Sequence, residues 1–353
     1  MSNYIRNKLF YAFAILTGVI LLVFFLFYAL KIDPTKASLD QRSDAKTRKA
    51  IMEKYGLDKA WYQRFYAYIG DLSPIWIYNN DESSKAEYRY RTIFSLGRHQ
   101  VLAVKAPYFG RSMQSGRRVS EMIGKGLKNS AILAITAMIF ALFWGLCFGA
   151  LAAVYKDSIL DRIVITLSAI GVSIPSYFSA ILLSITFGYM LKSFTGLNMI
   201  GSLYDLEGHL TLKNLILPAL ALGIRPIAII TQLSRNAMLE VLYEDYIRTA
   251  YAKGLSKLRV IYHHALRNAL NPVVTSVSGW FASLLAGAYF VEIIFNFKGL
   301  GYETVKAIET NDFPVILASV LAAALIFVLI NFAVDLSYVW IDPRVKITGK
   351  AKK

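Results

Sequence analysis

The chain has 353 residues, 56% of them in the hydrophobic set, and a net charge of +16, with a mean hydropathy of +0.45. That much apolar surface excludes an ordinary soluble domain of this length and points to a bilayer. The basicity does not indicate nucleic acid, because the charges collect between long uncharged stretches and do not line one face of folded elements. A single cysteine, Cys147, excludes an intrachain disulfide and a thiolate cluster. His99, His209, His263 and His264 lack metal-ligand spacing, and the adjacent pair would point to different faces of a helix, so no metal site is expected.

The first element is an uncharged run from Leu9 to Leu30, about 33 Å of helix at 1.5 Å per residue and enough to span. It is too long for the apolar core of a signal peptide, so residues 1–30 read as an uncleaved anchor. Residues 31–128 follow as an outer segment. Tyr55, Trp61, Tyr62, Phe65, Tyr66, Trp76, Tyr78, Tyr90, Phe94, Tyr108 and Phe109 give it too many aromatics for a disordered linker. Ser43 to Tyr55 reads as one short helix. Asp58 is a plausible N-cap for a second, whose apolar face is Trp61, Tyr62, Phe65, Tyr66 and Ile69. The expectation is a small helical cap.

Five more uncharged runs cover Asn129–Tyr155, Ile163–Leu191, Asn214–Ile224 with Pro226–Ser234, Ala269–Val291 and Phe313–Val334. Pro175 predicts a kink in the second of these. Gly145 and Gly149 make a G-x-x-x-G step, which permits close backbone contact with a neighbouring helix. The predicted fold class is therefore an all-α polytopic membrane protein with six transmembrane helices. Orientation follows from Lys and Arg in the short loops. With both termini inside, the cytoplasmic segments hold fifteen basic residues against four (Lys192, Lys213, Lys298 and Lys306) in the short outer loops. Both termini are predicted cytoplasmic, with residues 129–340 as a five-helix core and residues 341–353 as a basic tail.

Residues 235–268, between the fourth and fifth runs, are long for a loop and not loop-like. Leu239, Leu242, Tyr246 and Ala250 recur at helical spacing, with Asp245, Arg248 and Lys253 elsewhere around the helix. Gly254 breaks the pattern, and a second basic helical stretch, Leu258 to Ala269, leads into the next run. Two short helices around a small-residue break make a projecting knuckle fit for a groove on another protein. Periodicity alone fits equally well an amphipathic helix lying on the membrane surface.

Two charges sit in or beside the runs. Arg225, next to Pro226, lies mid-span, where a guanidinium is costly unless it faces water or the bundle. It is a candidate for the substrate path, or else a structural pair with an acid or freed carbonyls. Glu292, near the outer end of the fifth run, is a second candidate for that path, and a structural role is the alternative there and at Asp335. The chain has no G-x-x-x-x-G-K-[ST] phosphate loop, no nucleophile elbow and no H-E-x-x-H, so no catalytic residues are predicted.

The run from Tyr246 through Arg248-Thr249-Ala250 to Lys253-Gly254-Leu255-Ser256 resembles the coupling motif of ABC importer permeases. Arg248-Thr249-Ala250 stands where that motif commonly reads E-A-A, a form typical of the oligopeptide, dipeptide and nickel permease family. The resemblance extends to Met238–Leu242, His264–Leu270, Val291-Glu292, Gly299-Leu300-Gly301, Asn331 with Val334-Asp335, and Asp342-Pro343-Arg344. Near the start it includes Asp33-Pro34, Tyr55-Gly56-Leu57-Asp58 and Gly110-Arg111-Ser112. Lys298 departs from the family's usual Pro, which implies a less rigid turn, and residues near 73–107 look inserted.

The resemblance implies half of a translocation pathway for peptides or similar small solutes, in a bacterial or archaeal plasma membrane. It implies a second homologous permease, two ABC ATPases and an extracytoplasmic substrate-binding protein as partners, in a lipid bilayer and without nucleic acid. The chain itself would bind no cofactor, since ATP acts on partner subunits. Asp245, Tyr246, Arg248, Thr249, Ala250, Lys253, Gly254 and Leu255 would form the ATPase-coupling set, with Ala250 and Gly254 small enough to permit close seating. A stand-alone secondary transporter or channel is the rival reading. It would need no knuckle and would usually carry ionisable residues in several spans.

Overall fold

The computed structural model describes residues 2–29, 58–97, 99–204 and 209–341. The expected helix at Ser43–Tyr55, the Asp33-Pro34 pair and nearly all of the 341–353 tail lie outside the described residues, as does the side chain of Asp335. The chain divides into two compact units. One comprises Met1–Ala12, Gly126–Tyr302 and Ala323–Lys353, and the other Phe13–Lys125 and Glu303–Ala322.

Helices dominate: α1 (Ser2–Ala29), α2 (Trp61–Leu72), α3 (Glu82–Tyr88), α4 (Val119–Val154), α5 (Ile159–Ser173) and α6 (Ser176–Leu183). The chain then continues through a wider π turn (Ser184–Met190) to α7 (Lys213–Leu242), α8 (Asp245–Ala252), α9 (Arg267–Gly287), α10 (Tyr289–Ile294), α11 (Leu300–Glu309) and α12 (Phe313–Ile341). Among the described residues four helices are long and apolar enough to cross a membrane: Arg6–Phe25, Val119–Val154, Lys213–Leu242 and Phe313–Ala333. A fifth span results if α5 and the Ser176–Met190 segment are counted together.

Six spans were expected, and the two predicted runs outside these four are Ile163–Leu191 and Ala269–Val291. Ile163–Leu191 is not one kinked helix but a pair turned by 107°. Ile174 and Pro175 are both extended, with ψ of 126° and 141°, and proline has no N–H to carry the helix across the break. Ala269–Val291 is helical only to Gly287 before a break at Ala288. Many of its side chains between Asn271 and Gly287 lie outside the described residues.

In the first unit, α7 is the central post and packs against α5, α6 and α9. It stays helical through Pro218 and Pro226, an arrangement helices tolerate when surrounding helices stabilise the interrupted ladder. The G-x-x-x-G step of α4 meets α7 directly. A Cβ at Gly145 would lie 2.6 Å from the Ile230 side chain, and one at Gly149 would lie 2.6 Å from Ser234 Cβ and 2.7 Å from the Thr231 carbonyl. Leu133, Ala134, Ala137 and Ala141 from α4 join Leu217, Ala221 and Ile230 from α7 in the same core.

The second unit corrects the all-helical expectation. Ile75–Asn79 (β1), Arg91–Leu96 (β2) and Gln100–Val104 (β3) form an antiparallel sheet in the order β1-β3-β2. The β-branched and aromatic residues of Ile75-Trp76-Ile77-Tyr78 and Thr92-Ile93-Phe94 favour a pleated strand over a helix. Gly97 closes the hairpin between β2 and β3 with a φ of 82°. Tyr78 and Tyr90 stack at 5.0 Å between centroids. The N-cap of α2 is Ala60, with no side-chain cap bond, so Asp58 does not serve that role. Of the predicted apolar face, Trp61 and Phe65 approach Phe25, and Phe65 also meets Phe24. Tyr62 and Tyr66 are exposed. Gly110, at φ 78°, turns the chain so that the Ser112 hydroxyl donates to Asp312, just before α12.

Two carboxyls of this unit titrate in opposite senses. Burial pushes Asp71 up to about 6, against the opposing pull of Lys105 and a bond from Tyr88. Glu87 accepts from Arg111 Nε at 3.0 Å and Nη2 at 2.9 Å and from the Tyr108 hydroxyl, which together hold it down at about 2.

Two outcomes are expected. Gly149→Val should force α4 away from α7 and destabilise the chain by about 1–3 kcal/mol, read as a lower midpoint of thermal unfolding in detergent. An unchanged midpoint would show that the two helices do not need this approach. The second outcome concerns pH. The raised value of Asp71 makes its contribution fade as pH rises from about 4 to about 6, while the lowered value of Glu87 makes its contribution fade as pH falls from about 4.5 towards 2. Amide exchange of residues 75–104, followed by mass spectrometry, should therefore show greatest protection near pH 4–5 after correction for intrinsic rates. Asp71→Asn should abolish the loss above that range.

Candidate functional site

Helix α7 ends at Leu242, and the chain turns through Tyr243 and an extended Glu244 into α8. The end of α8 is encoded by Gly254, which has a φ of 77°. From there Gly254 N donates to the Tyr251 carbonyl (2.9 Å) and Leu255 N to the Ala250 carbonyl (3.3 Å), the paired bonds of a Schellman ending. Leu255 packs against the cluster containing Ala250, the apolar contact that usually accompanies this turn. Ser256 is extended and the chain re-enters helix at Lys257, passing through a π turn over Val260–Leu266 into α9.

The two arms fold against each other. Ile247 and Ala250 are buried with Met238, Val260, Ile261 and Ala265, and Asn268 Nδ2 donates to the Tyr246 hydroxyl at 2.7 Å. The apolar stripe therefore runs through Ile247 and Ala250, while Tyr246 lies exposed beside it. Ala250 is buried among these residues, and its small size lets the two arms close on each other. Nothing lies within 4 Å of a Cβ built on Gly254, whose requirement is the backbone conformation. Thr249 Oγ1 donates to the Asp245 carbonyl at 2.9 Å. Arg248 pairs with Asp245 at 3.5 Å, both side chains in solvent, where such a pair adds little stability.

Outward, the knuckle shows Tyr251 (43% exposed), Leu258 (69%) and Tyr262 (65%), together with the exposed Arg248 and Lys253. Large apolar groups ringed by cations are the anchors that interfaces favour.

Asp161 and Arg235 fix the root of this hairpin, and sequence reading did not single them out as a pair. Arg235 Nε and Nη2 donate to the two oxygens of Asp161 at 2.6 and 2.7 Å, with the Asp161 side chain 5% exposed. Asp161 also accepts from Asp157 N at 3.0 Å, while Ser158 Oγ accepts from Asp161 N at 3.2 Å. The signal available was the Ser158-x-x-Asp161 spacing ahead of an apolar run, the signature of a helix N-terminus. Lys156 Nζ donates to the Tyr243 hydroxyl at 3.1 Å, and Lys257 Nζ sits 5.7 Å from the Tyr155 ring centroid. These contacts tie the 155–161 turn to both arms.

The two candidates for a substrate path fall elsewhere. Glu292 is 0% exposed. Its carboxylate accepts from Ser130 Oγ at 2.5 Å and Tyr302 N at 2.9 Å, and Ser130 Oγ accepts from Leu300 N at 2.8 Å. A Cβ at Gly299 would lie 2.4 Å from that carboxylate, and one at Gly301 would lie 3.0 Å from it. Gly299-Leu300-Gly301 thus wraps Glu292, which acts as a post for the turn. Lys298, in the usual place of Pro, has its carbonyl held by Asn129 Nδ2 at 2.7 Å. Arg225 is exposed on α7, its guanidinium 5.3 Å from the Trp280 ring centroid. It lies ten residues from Arg235, about 15 Å along the helix, and does not join the coupling set.

Known proteins resemble this chain over its length. Residues 145–347 match the family described as "Binding-protein-dependent transport system inner membrane component". The chain is 32% identical to the di/tripeptide transport system permease protein DppB of Pseudomonas aeruginosa, covering 98% of this chain and 99% of that one. It is 33% identical to the glutathione transport system permease protein GsiC of Escherichia coli K12, with the same coverage. The dipeptide permease DppB of Bacillus subtilis is 38% identical over 69% of this chain and 76% of its own. Among solved structures, an inward-facing MetNI methionine ABC transporter aligns with 63% of this chain and 97% of that chain, at 20% identity and a TM-score of 0.50, a likeness of fold alone. The chain belongs to the binding-protein-dependent transport system inner membrane components: it is a multi-pass permease subunit of an ABC importer, a component that works with an ATPase and a binding protein.

Proposed function

We propose that this permease forms half of a pathway for peptides or closely similar solutes, paired with a second, homologous permease and driven by two ATPase subunits. The substrate class rests on relatives named for dipeptide, di/tripeptide and glutathione transport. In this reading the chain crosses a bacterial or archaeal plasma membrane six times with both termini in the cytoplasm, and the segment around residues 58–118 faces the binding protein. Transport is alternating access: closure of the ATPase pair pushes the 243–268 knuckle, and the helices rooted on it change between outward-open and inward-open arrangements.

The observation that carries the coupling role is the direction of the knuckle's faces. A helix lying on lipid would turn its apolar stripe outward. Here Ile247, Ala250, Val260 and Ile261 are buried within the chain, and an aromatic and cationic tip is left available. Tyr251 and Leu258 would enter a groove on the ATPase, with Arg248 and Lys253 at its rim. The stand-alone transporter gives no reason for a rigid hairpin of this kind.

Tyr251→Ala combined with Leu258→Ala leaves the buried contacts intact. It should lower recovery of ATPase subunits in mild-detergent affinity purification by about tenfold or more, the loss expected for interface anchors, with a matching fall in uptake. Gly254→Pro, incompatible with a φ of 77°, should do the same through the turn. A double variant that still brings down ATPase and transports normally would sink the coupling role.

A further inference from the structure

Helix α7 is enclosed along almost its whole apolar length. Between 214 and 235, Arg225 alone is exposed, and every other residue is buried or half-buried. Arg225 lies twelve residues from the start of α7, about 18 Å along the axis, and seventeen from its end. That is near the middle of a helix apolar enough to span, where a guanidinium is costly without an acceptor. Among the described residues no carboxylate pairs with it, and its one partner is the Trp280 ring. An aromatic ring attracts the cation through its face but accepts none of its five in-plane N–H groups. The position continues as a polar line, since Gln232 and Asn236 follow at seven and eleven residues, on the same side of the helix.

We propose that Arg225, steadied by Trp280, receives the terminal carboxylate of the solute as it crosses, with Gln232 and Asn236 marking the same path towards the Arg235 end. This rests on the peptide reading above, because every unmodified linear peptide carries such a carboxylate. The fork of a guanidinium matches the two oxygens of a carboxylate in one plane. The Trp280 ring, 5.3 Å away, meets the cation through its face, and a ring supplies no carboxylate-like acceptor for the guanidinium N–H groups. Lipid phosphate is the poorer match, because headgroups lie at the margins of a hydrocarbon core about 30 Å thick and Arg225 sits far from either end of α7. An acid supplied by a second permease subunit is the competing partner, and the experiment separates it.

The test uses the intact transporter in its native host, with uptake of a labelled dipeptide and its C-terminal amide measured in cells carrying Arg225→Gln or Arg225→Lys. Recovery of the complex by affinity purification is measured in parallel. Arg225→Gln should lower uptake of the free acid by about tenfold or more, the loss of one charge-assisted bond, with complex recovery unchanged. Arg225→Lys should retain most of that uptake, and transport of the amide should be insensitive to either change. Equal losses for acid and amide, normal acid uptake by Arg225→Gln, or loss of the assembled complex would overturn the assignment. The last would assign Arg225 to a subunit acid instead. Wild-type cells that take up neither compound by this transporter would instead refute the peptide reading, and the assignment with it.

Discussion

The close approach of α4 to α7 governs what the rest of the permease unit can do. At Gly145 and Gly149 the two helices come so near that a single methyl group would meet a side chain or a carbonyl at 2.6–2.7 Å. Inside a bilayer helices gain little by hiding apolar surface from lipid that is equally apolar, so contact must come from fit. Glycine supplies that fit by letting backbone touch backbone. Once α7 is set in this way, α5, α6 and α9 pack around it, and both candidate regions hang from its length. The knuckle leaves from its end and Arg225 faces out near its middle.

Much of this was legible in residues whose chemistry allows few alternatives. Gly254 predicted a break between two short helices, and the break is a glycine-dependent turn with its full set of bonds. The Gly145–Gly149 step predicted a close helix contact, and α7 provides the other side. Arg225 stood out because a charge in an apolar run is rare. The features that were harder to read depend on tertiary context. Tyr246 and Ala250 fit one stripe by spacing, yet the second arm selects Ile247 and Ala250 as the buried pair. Glu292 was open to a structural role or a place on a path, and the three-dimensional turn, with two glycines wrapped around the carboxylate, supports the structural role. The sheet at 75–104 was missed because the helical period found at Trp61–Ile69 was extended to the whole outer segment, although the β-branched residues of 75–104 favour strands.

The two ends of the permease unit solve the same problem with different chemistry. At the 289–302 turn a buried carboxylate gathers a hydroxyl and a backbone N–H, and glycines admit it to the backbone. At the knuckle's root a carboxylate gathers a guanidinium and a backbone N–H. Leaving either acid without its partners would strand a charge away from water, which is far more costly than never having placed it there. Such posts keep irregular backbone in one conformation where regular helix cannot.

The two-pronged bond between Asp161 and Arg235 has a consequence for force. A single contact acts as a pivot, about which two helices can swivel with little resistance. Two parallel bonds, at 2.6 and 2.7 Å, define a plane, and swivelling shears both at once. The end of α7 is therefore held rigidly to the start of α5, which is itself the first arm of the 107° bend. Both arms of that pair also lie against α7, so the two-pronged bond locks the bend to the helix it already packs on.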